Sequence, residues 1–316
     1  MTYNLYTLGE SMGVIQTPTG TLFESASTCQ VSIGGAESNV AIGAARLGLD
    51  VMWVGRVGDD SLGRRITKEL RGEGVHAQVT VDAVAPTGLL LKEMRSVEHT
   101  KVSYYRRGSA GSRLNVGDVH EWAIADSEVV HLTGITLALS DTARDAVRHA
   151  ADLASRVGTA LSFDINHRES LWGRDDARDE YTYIADRSSI LFAGIDEARM
   201  IAPSGTTDNM LAARLSEKFR IPEVIIKRGA DGADAVINGK YIEVAAYKVP
   251  VIDTVGAGDS FAAGYLAARA KGGAPVQWLE TAAIVAGFVC MTPGDWGGAP
   301  RWSDVESANA NEWVSR

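Results

Sequence analysis

Apolar and polar positions along the chain fall into two regimes. From about Asp118 onward, extended apolar runs at 127–132, 159–164, 188–193 and 223–227 alternate with helical spacing near 141–156, 174–186 and 207–219. Short apolar runs joined by amphipathic helices predict parallel strands buried on both faces, with helices covering the sheet. The first part opens in the same way. Tyr3–Leu8 reads as a strand ending at Gly9, and the small-residue segment 34–48 as a helix. The run V-M-W-V-G and a polar helix to about Arg71 come next. Four extended pieces, 12–16, 27–33, 88–94 and 101–106, break the alternation, with T-P-T-G-T and S-V-E-H as turns between them. They predict a small separate sheet, suited to a lid over an active site or to a dimer contact. The segment 302–314 reads as a closing helix with Ser303 as N-cap and Glu306 three residues on.

One stretch combines this pattern with chemistry. D-T-V-G-A-G-D-S-F (253–261) comes after the apolar run V-P-V-I-D, read as extended, and opens a helical segment with apolar residues at 261, 262, 265, 266 and 268. Glycine lets backbone approach a ligand closely, and the free N–H groups at a helix start suit a phosphate. Asp259 then sets a carboxylate in the first turn. An acid there also serves simply as a dipole partner, and G-x-G before a helix as a turn, so the motif needs support from the rest of the chain.

Composition narrows the classes. The chain has 316 residues, is 45% apolar and carries a net charge of −9. That is ample for a large α/β core and unlike a general binder of nucleic acid or acidic membranes. An anionic substrate would have to be met by individual arginines. Cys29 and Cys290 form no C-x-x-C pair, the N-terminus lacks the pattern of a signal peptide, and the longest apolar run, about 282–291, is too short to span a bilayer. A cytoplasmic protein is expected. The six histidines show no H-E-x-x-H or paired spacing, and there is no G-x-x-x-x-G-K-[ST] phosphate loop. A dinucleotide fingerprint fails because Phe261 stands where its third glycine belongs. Gly9-Glu10-Ser11-Met12-Gly13 satisfies G-x-S-x-G, but the residues after Gly13 read as strand and turn instead of helix, so a serine hydrolase using Ser11 is a remote alternative.

G-G-A-E-S-N-V-A (34–41) and D-T-V-G-A-G-D-S-F, about 220 residues apart, together resemble the ribokinase-like (PfkB) carbohydrate kinases. The likeness spans essentially the whole chain, including K-R-G-A-D-G-A (227–233). It implies an α/β fold, an αβα sandwich with a mostly parallel central sheet and a β-strand lid. Residues 1–316 would form one kinase domain, with lid strands from about 11–33 and 88–107. It also implies ATP as donor, Mg²⁺ as helper, with room for a monovalent cation such as K⁺, and a homo-oligomer built through the lid. Y-Y-R-R-G-S-A-G-S-R-L (104–114) and D-I-N-H-R-E-S-L-W (164–172) are most similar to the 2-keto-3-deoxygluconate kinases. That likeness implies substrate contacts from Tyr104, Arg106 and Arg168, and a guanidinium suits the carboxylate of such a sugar acid.

The resemblance also distributes roles. Asp259 would be the base and Gly256, Ala257 and Gly258 the anion hole; Gly34, Gly35, Asn39 and Asp295 would line the sugar. Asn166, Lys227, Gly229, Asp231 and Gly232, with Gly256 and Gly258, would face the nucleotide, and Glu197 the metal. Two positions depart from the family pattern. Gly194 replaces an asparagine in G-I-D-E (194–197), and Leu90 stands where a tyrosine is common. Other sugars (fructose, ribose, a nucleoside or 2-keto-3-deoxygalactonate) are the nearer alternatives, and a non-catalytic sugar-binding regulator on this fold is a further one.

Overall fold

The computed structural model describes residues 2–96 and 99–310. Part of the S-V-E-H segment and residues 311–314, expected to continue the closing helix, lie outside these residues. The described strands are β1 (Tyr3–Leu8), β2 (Met12–Gln16), β3 (Gln30–Gly34), β4 (Val51–Gly58), β5 (His76–Asp82), β6 (Leu89–Met94) and β7 (Thr100–Tyr105). They continue as β8 (Ser127–Thr133), β9 (Ala160–Asp164), β10 (Ile190–Gly194), β11 (Glu223–Lys227), β12 (Ala233–Ile237) and β13 (Lys240–Val244).

Nine strands form the central sheet in the order β13-β12-β11-β10-β9-β8-β1-β4-β5. The run from β11 to β5 is parallel, and β12 and β13 close one edge as antiparallel strands. Both faces are buried, as apolar runs without alternation require. Tyr6, Val130, Phe163 and Leu191 enter one core, while their sequence neighbours Leu5, Val129 and Phe192 enter the other. The first core is covered by helices 141–157, 174–185, 195–201 and 211–219; the second by 36–46, 61–72, 257–271 and 275–290.

Local sequence explains the helices. In Asp141–Val157, Ala143, Ala146, Val147, Ala150 and Ala154 make one buried stripe. Ser140 caps its start by accepting from the Ala143 N–H at 3.1 Å, and Gly158 ends it in the left-handed region at φ 80°. Helix 257–271 is buried on all sides from Asp259 to Ala268, because Pro275–Cys290 packs along it.

The four pieces expected to stand apart do so. They form a second sheet in the order β3-β2-β6-β7, antiparallel except for the β2/β6 pair. Three local expectations are corrected. The third piece starts at Gln30 instead of residue 27. The closing helix, Trp302–Asn309, is capped at Arg301, whose N–H donates to Asp304 at 2.8 Å, so Ser303 lies inside the helix. V-P-V-I-D joins neither sheet; Val251 and Ile252 are exposed and the segment is held by Ile252 N–H donating to Cys290 O at 2.7 Å. Alternation alone could not exclude that segment, because an apolar run reads the same whether or not a partner strand exists.

At Gly264 the two long helices pack tightly against each other. A Cβ there would lie 3.0 Å from Ala282 Cα and from the Val285 side chain. Gly264→Val is therefore expected to destabilise the protein by about 1–3 kcal/mol through overpacking. The urea midpoint against wild type reads this, with the slope unchanged.

Candidate active site

The carboxyl ends of the parallel strands and the small sheet enclose a cavity of about 430 Å³. Asn166, Arg168, Glu197 and Lys227 line it from the strand ends, Gly256, Gly258 and Asp259 from the start of helix 257–271, and Leu90, Lys92 and Tyr104 from the small sheet. A narrower pocket of about 70 Å³ shares Leu90, Tyr104, Arg168, Gly256 and Asp259 and adds Gly35, Asn39, Arg106 and Asp295. A larger cavity, about 570 Å³, shares no lining residue with either. Its cations are already engaged, Arg178 by Asp175, Arg199 by Asp196 and Asp208, and Lys218 by Ile201 O.

Asp259 sits at the junction of the two connected pockets. Its Oδ2 accepts from Asn39 Nδ2 at 2.8 Å and its Oδ1 from Asn166 Nδ2 at 3.1 Å. Asn39 comes from helix 36–46; Asn166 lies just past β9 in the left-handed region at φ 40°, a conformation asparagine tolerates better than most residues. Burial pushes the Asp259 carboxyl up from 3.8 to about 6, as does nearby Asp164, while the Asn39 hydrogen bond, Arg168 and Lys227 pull it down.

Gly256 is the N-cap of this helix, with φ 79°, and Ala257 and Gly258 are its first two residues. A Cβ at Gly256 would strike Asp295 O, so two turns meet there without room for a side chain. Lys227 donates to both oxygens of buried Asp164, at 2.9 and 2.7 Å, and its ammonium would lie 3.4 Å from a Cβ on Gly258. Burial works to lower the Lys227 pKa, but Asp164, Glu197 and Asp259 outweigh it and the net direction is upward. The ammonium therefore stays charged beside the helix start.

The narrower pocket holds a second lifted acid. Burial pushes Asp295 up from 3.8 to about 6, aided by Asp259 and Asp253 and opposed by Lys92. Its Oδ1 is buried without a hydrogen-bond partner, and its Oδ2 packs where a Cβ on Gly34 would stand. A Cβ on Gly35 would strike Glu10 O, so both glycines serve close approach. The 293–299 turn is pinned by Arg46, which donates to the carbonyls of Trp296, Gly297 and Ala299.

The two arginines differ. Arg106 is buried and paired with Glu10 at 2.6 Å, and Ser109 also donates to Glu10. Arg168 is exposed at the cleft mouth yet lines both pockets, and its guanidinium donates to His167 O at 3.3 Å. Glu197 accepts from His167 N–H at 2.9 Å and from Gly194 N–H at 2.6 Å, so the glycine contributes its backbone where a side chain was expected. Leu90 lines both pockets from β6. Gly229, Asp231 and Gly232 form a turn after β11 and do not appear in the lining of either pocket; Gly232, at φ 94°, packs against Val244 O. Ser11 is buried, Ser38 Oγ donates to it at 3.1 Å, and it leads into β2 instead of a helix, which removes the hydrolase elbow.

Sequence reasoning left three lining or supporting charges unassigned: Glu10, Asp164 and Lys92. Lys92 was the most findable. It falls two residues after Leu90 on the same inward face of L-L-L-K-E-M, where a strand on a core carries an apolar residue.

The sequence profile described as pfkB family carbohydrate kinase matches residues 4–301. The chain belongs to the PfkB family of carbohydrate kinases. Among its relatives, the 2-dehydro-3-deoxygluconokinase of Thermoproteus tenax is 35% identical over 271 residues, covering 83% of this chain and 81% of that protein. The 2-dehydro-3-deoxygalactonokinase of Haloferax volcanii is 33% identical over 278 residues, covering 88% and 87%. A solved ribokinase II from E. coli in complex with ATP and Mg²⁺ superposes with a TM-score of 0.91 at 23% identity, over 98% of this chain and 99% of that one. The αβα layering and second sheet are thus those of the ribokinase-like PfkB fold, and the chain is a sugar kinase.

The raised Asp259 has a sign that can be measured. Its folded pKa, about 6, lies above the ordinary 3.8. Its share of stability is complete below the ordinary value and is lost as pH rises through the folded one. Asp259→Asn does not titrate, so its stability relative to wild type is expected to rise by about 2 kcal/mol between about pH 4 and about pH 7.5. Urea unfolding of both proteins at the two pH values checks it.

Proposed function

We propose that this PfkB kinase transfers the γ-phosphoryl group of ATP to the terminal hydroxyl of 2-keto-3-deoxygluconate, giving the 6-phosphate. The observation that carries the reading is the buried Asp259 carboxylate at the start of a glycine-flanked helix, with Arg168 free of any acid in the same cavity. The names of the Thermoproteus and Haloferax relatives support a 2-dehydro-3-deoxy sugar acid over a neutral sugar. They also keep the galactonate epimer as the second reading.

In this reading the acceptor hydroxyl rests against Asp259. The γ-phosphoryl group lies on the N–H groups of Gly256, Ala257 and Gly258, with Lys227 beside it. A bond forms from the acceptor oxygen to phosphorus as the bond to the ADP oxygen breaks. Charge on the equatorial oxygens is stabilised by fixed amides and the ammonium. The hydroxyl proton passes to Asp259, late in a loose transition state. Asn39 and Asn166 aim the carboxylate. Arg168 grips the substrate carboxylate, Tyr104 and Arg106 pack the sugar, and Gly34, Gly35 and Asp295 face its hydroxyls. Gly229, Asp231 and Gly232 shape the nucleotide side from the turn after β11.

Among the described residues no group of three or more His, Cys, Asp or Glu is arranged to hold a metal. Glu197 is the carboxylate that would help hold a Mg²⁺, since each of its oxygens takes a single backbone N–H and keeps acceptor capacity. The ion would supply charge neutralisation on the phosphates. A K⁺ activation is read by exchanging K⁺ for a bulky quaternary ammonium ion. We take residues 1–316 as one kinase domain with the small sheet as its lid. Exposed Val31 and Tyr105 on that sheet support a homo-oligomer formed through it, testable by sedimentation. No helix among the described residues is long and apolar enough to cross a membrane, in keeping with a cytoplasmic enzyme.

Screening sugars and sugar acids with ATP tests the substrate; turnover of fructose or ribose above both sugar acids would refute the reading. Asp259→Asn is expected to cut kcat by about 10²–10⁴-fold with ATP binding intact. Arg168→Ala is expected to raise KM for the sugar acid about 10–100-fold while KM for ATP stays near wild type. Because the base must be ionised, kcat/KM is expected to fall below an apparent pKa of about 6, not near 4.

A further inference from the structure

Lys92 lies in the middle of the small sheet, opposite Gln16 of β2 and Val102 of β7. Its side chain is fully buried and its ammonium leaves the sheet, pairing with Asp253 and standing 3.8 Å from Asp295. Both acids are buried parts of the main body. Asp253 in turn accepts from Val255 N–H and from Gly294 N–H, each at 3.1 Å. Val255 leads into Gly256 at the helix start, and Gly294 precedes Asp295. The two turns also touch directly at Gly256 and Asp295 O.

One ammonium thus joins three segments: β6, the turn 253–256 and the turn 293–296. The strand does not need it, since backbone hydrogen bonds hold β6 to its neighbours. An apolar side chain of similar volume would fill the space without the desolvation that a buried ammonium and carboxylate suffer. What the charge adds is direction, because Asp253 can orient both backbone N–H groups and Lys92 together only while β6 is seated on the body.

We propose that Lys92 is a positioning residue that shapes the anion-binding turn and orients Asp295 when the small sheet is seated. This rests on the reading of 256–258 as the phosphate site and of the small sheet as lid. Before seating, Asp253 and Asp295 would lack their cation, and the turn would lose its order.

Lys92→Met keeps length and removes charge. The expected result is a kcat lower by about 10–100-fold with KM for ATP within about threefold, as a displaced anion hole produces. Amide exchange at Val255 and Gly294 is expected to quicken at least about tenfold while β8–β11 keep wild-type protection. A kcat within about twofold of wild type with unchanged exchange at those two amides overturns the proposal, as does quickening spread evenly through β8–β11. If Lys92→Met does not fold, Lys92→Gln, which also removes the charge and leaves Asp253 intact, is read by the same exchange measurement with the same two outcomes. The exchange arm needs no sugar. A wild-type protein that phosphorylates no sugar acid therefore counts against the functional reading and leaves this test standing.

Discussion

Asp259 is a carboxylate taken out of water and held by two side-chain amides, one from 220 residues and one from 93 residues away in the chain. The fold is arranged so that three segments deliver these groups to one point. Helix 36–46 brings Asn39 from one side of the sheet, and the carboxyl end of β9, the middle strand, brings Asn166. Helix 257–271, buried from Asp259 to Ala268, brings Asp259 itself. Burial raises the carboxyl and the amides restrain it, and the balance leaves an acid lifted from 3.8 to about 6. A group in that range accepts a proton more readily than an exposed aspartate.

Around it, the charges are set in matched pairs. Glu10 takes Arg106, Asp164 takes Lys227 and Asp253 takes Lys92, each pair joining distant parts of the chain. Such pairs stabilise little over a well-packed apolar core, but they fix orientation strongly. The cleft they frame is lined by Arg168 and the two lifted acids, Asp259 and Asp295, which meet the ligands in the reading proposed above. That pattern suits a substrate with a carboxylate at one end and hydroxyls at the other.

Much of this was legible in the sequence. The alternation of apolar runs and helical stripes located the parallel core strands within a few residues, because fully buried strands must be apolar throughout. The four pieces outside the alternation were readable as a separate sheet because they interrupt the strand–helix rhythm. β5, β12 and β13 were not anticipated: β5 and β13 are polar and half-exposed, and β12, although buried throughout, is a short run interrupted by Asp234. Asn39 and Asn166, expected at the sugar and the nucleotide, both donate to Asp259, a convergence that neither motif encodes by itself. The partners of the arginines could not be read, since Glu10 meets Arg106 through a pairing 96 residues apart that no local pattern encodes. Lys92 carried a signal, a lone cation at an inward strand position, whose meaning depended on acids 161 and more residues away.

The central claim is that phosphoryl charge rests on the backbone amides of 256–258 with one carboxylate at the acceptor hydroxyl. A crystal structure with a non-hydrolysable ATP analogue and the sugar acid tests it most directly. The account requires a γ-phosphate oxygen within about 3 Å of the amides of 256–258 and the acceptor hydroxyl within about 3 Å of Asp259. A γ-phosphate bound away from that turn, or a terminal hydroxyl pointing away from Asp259, would contradict it.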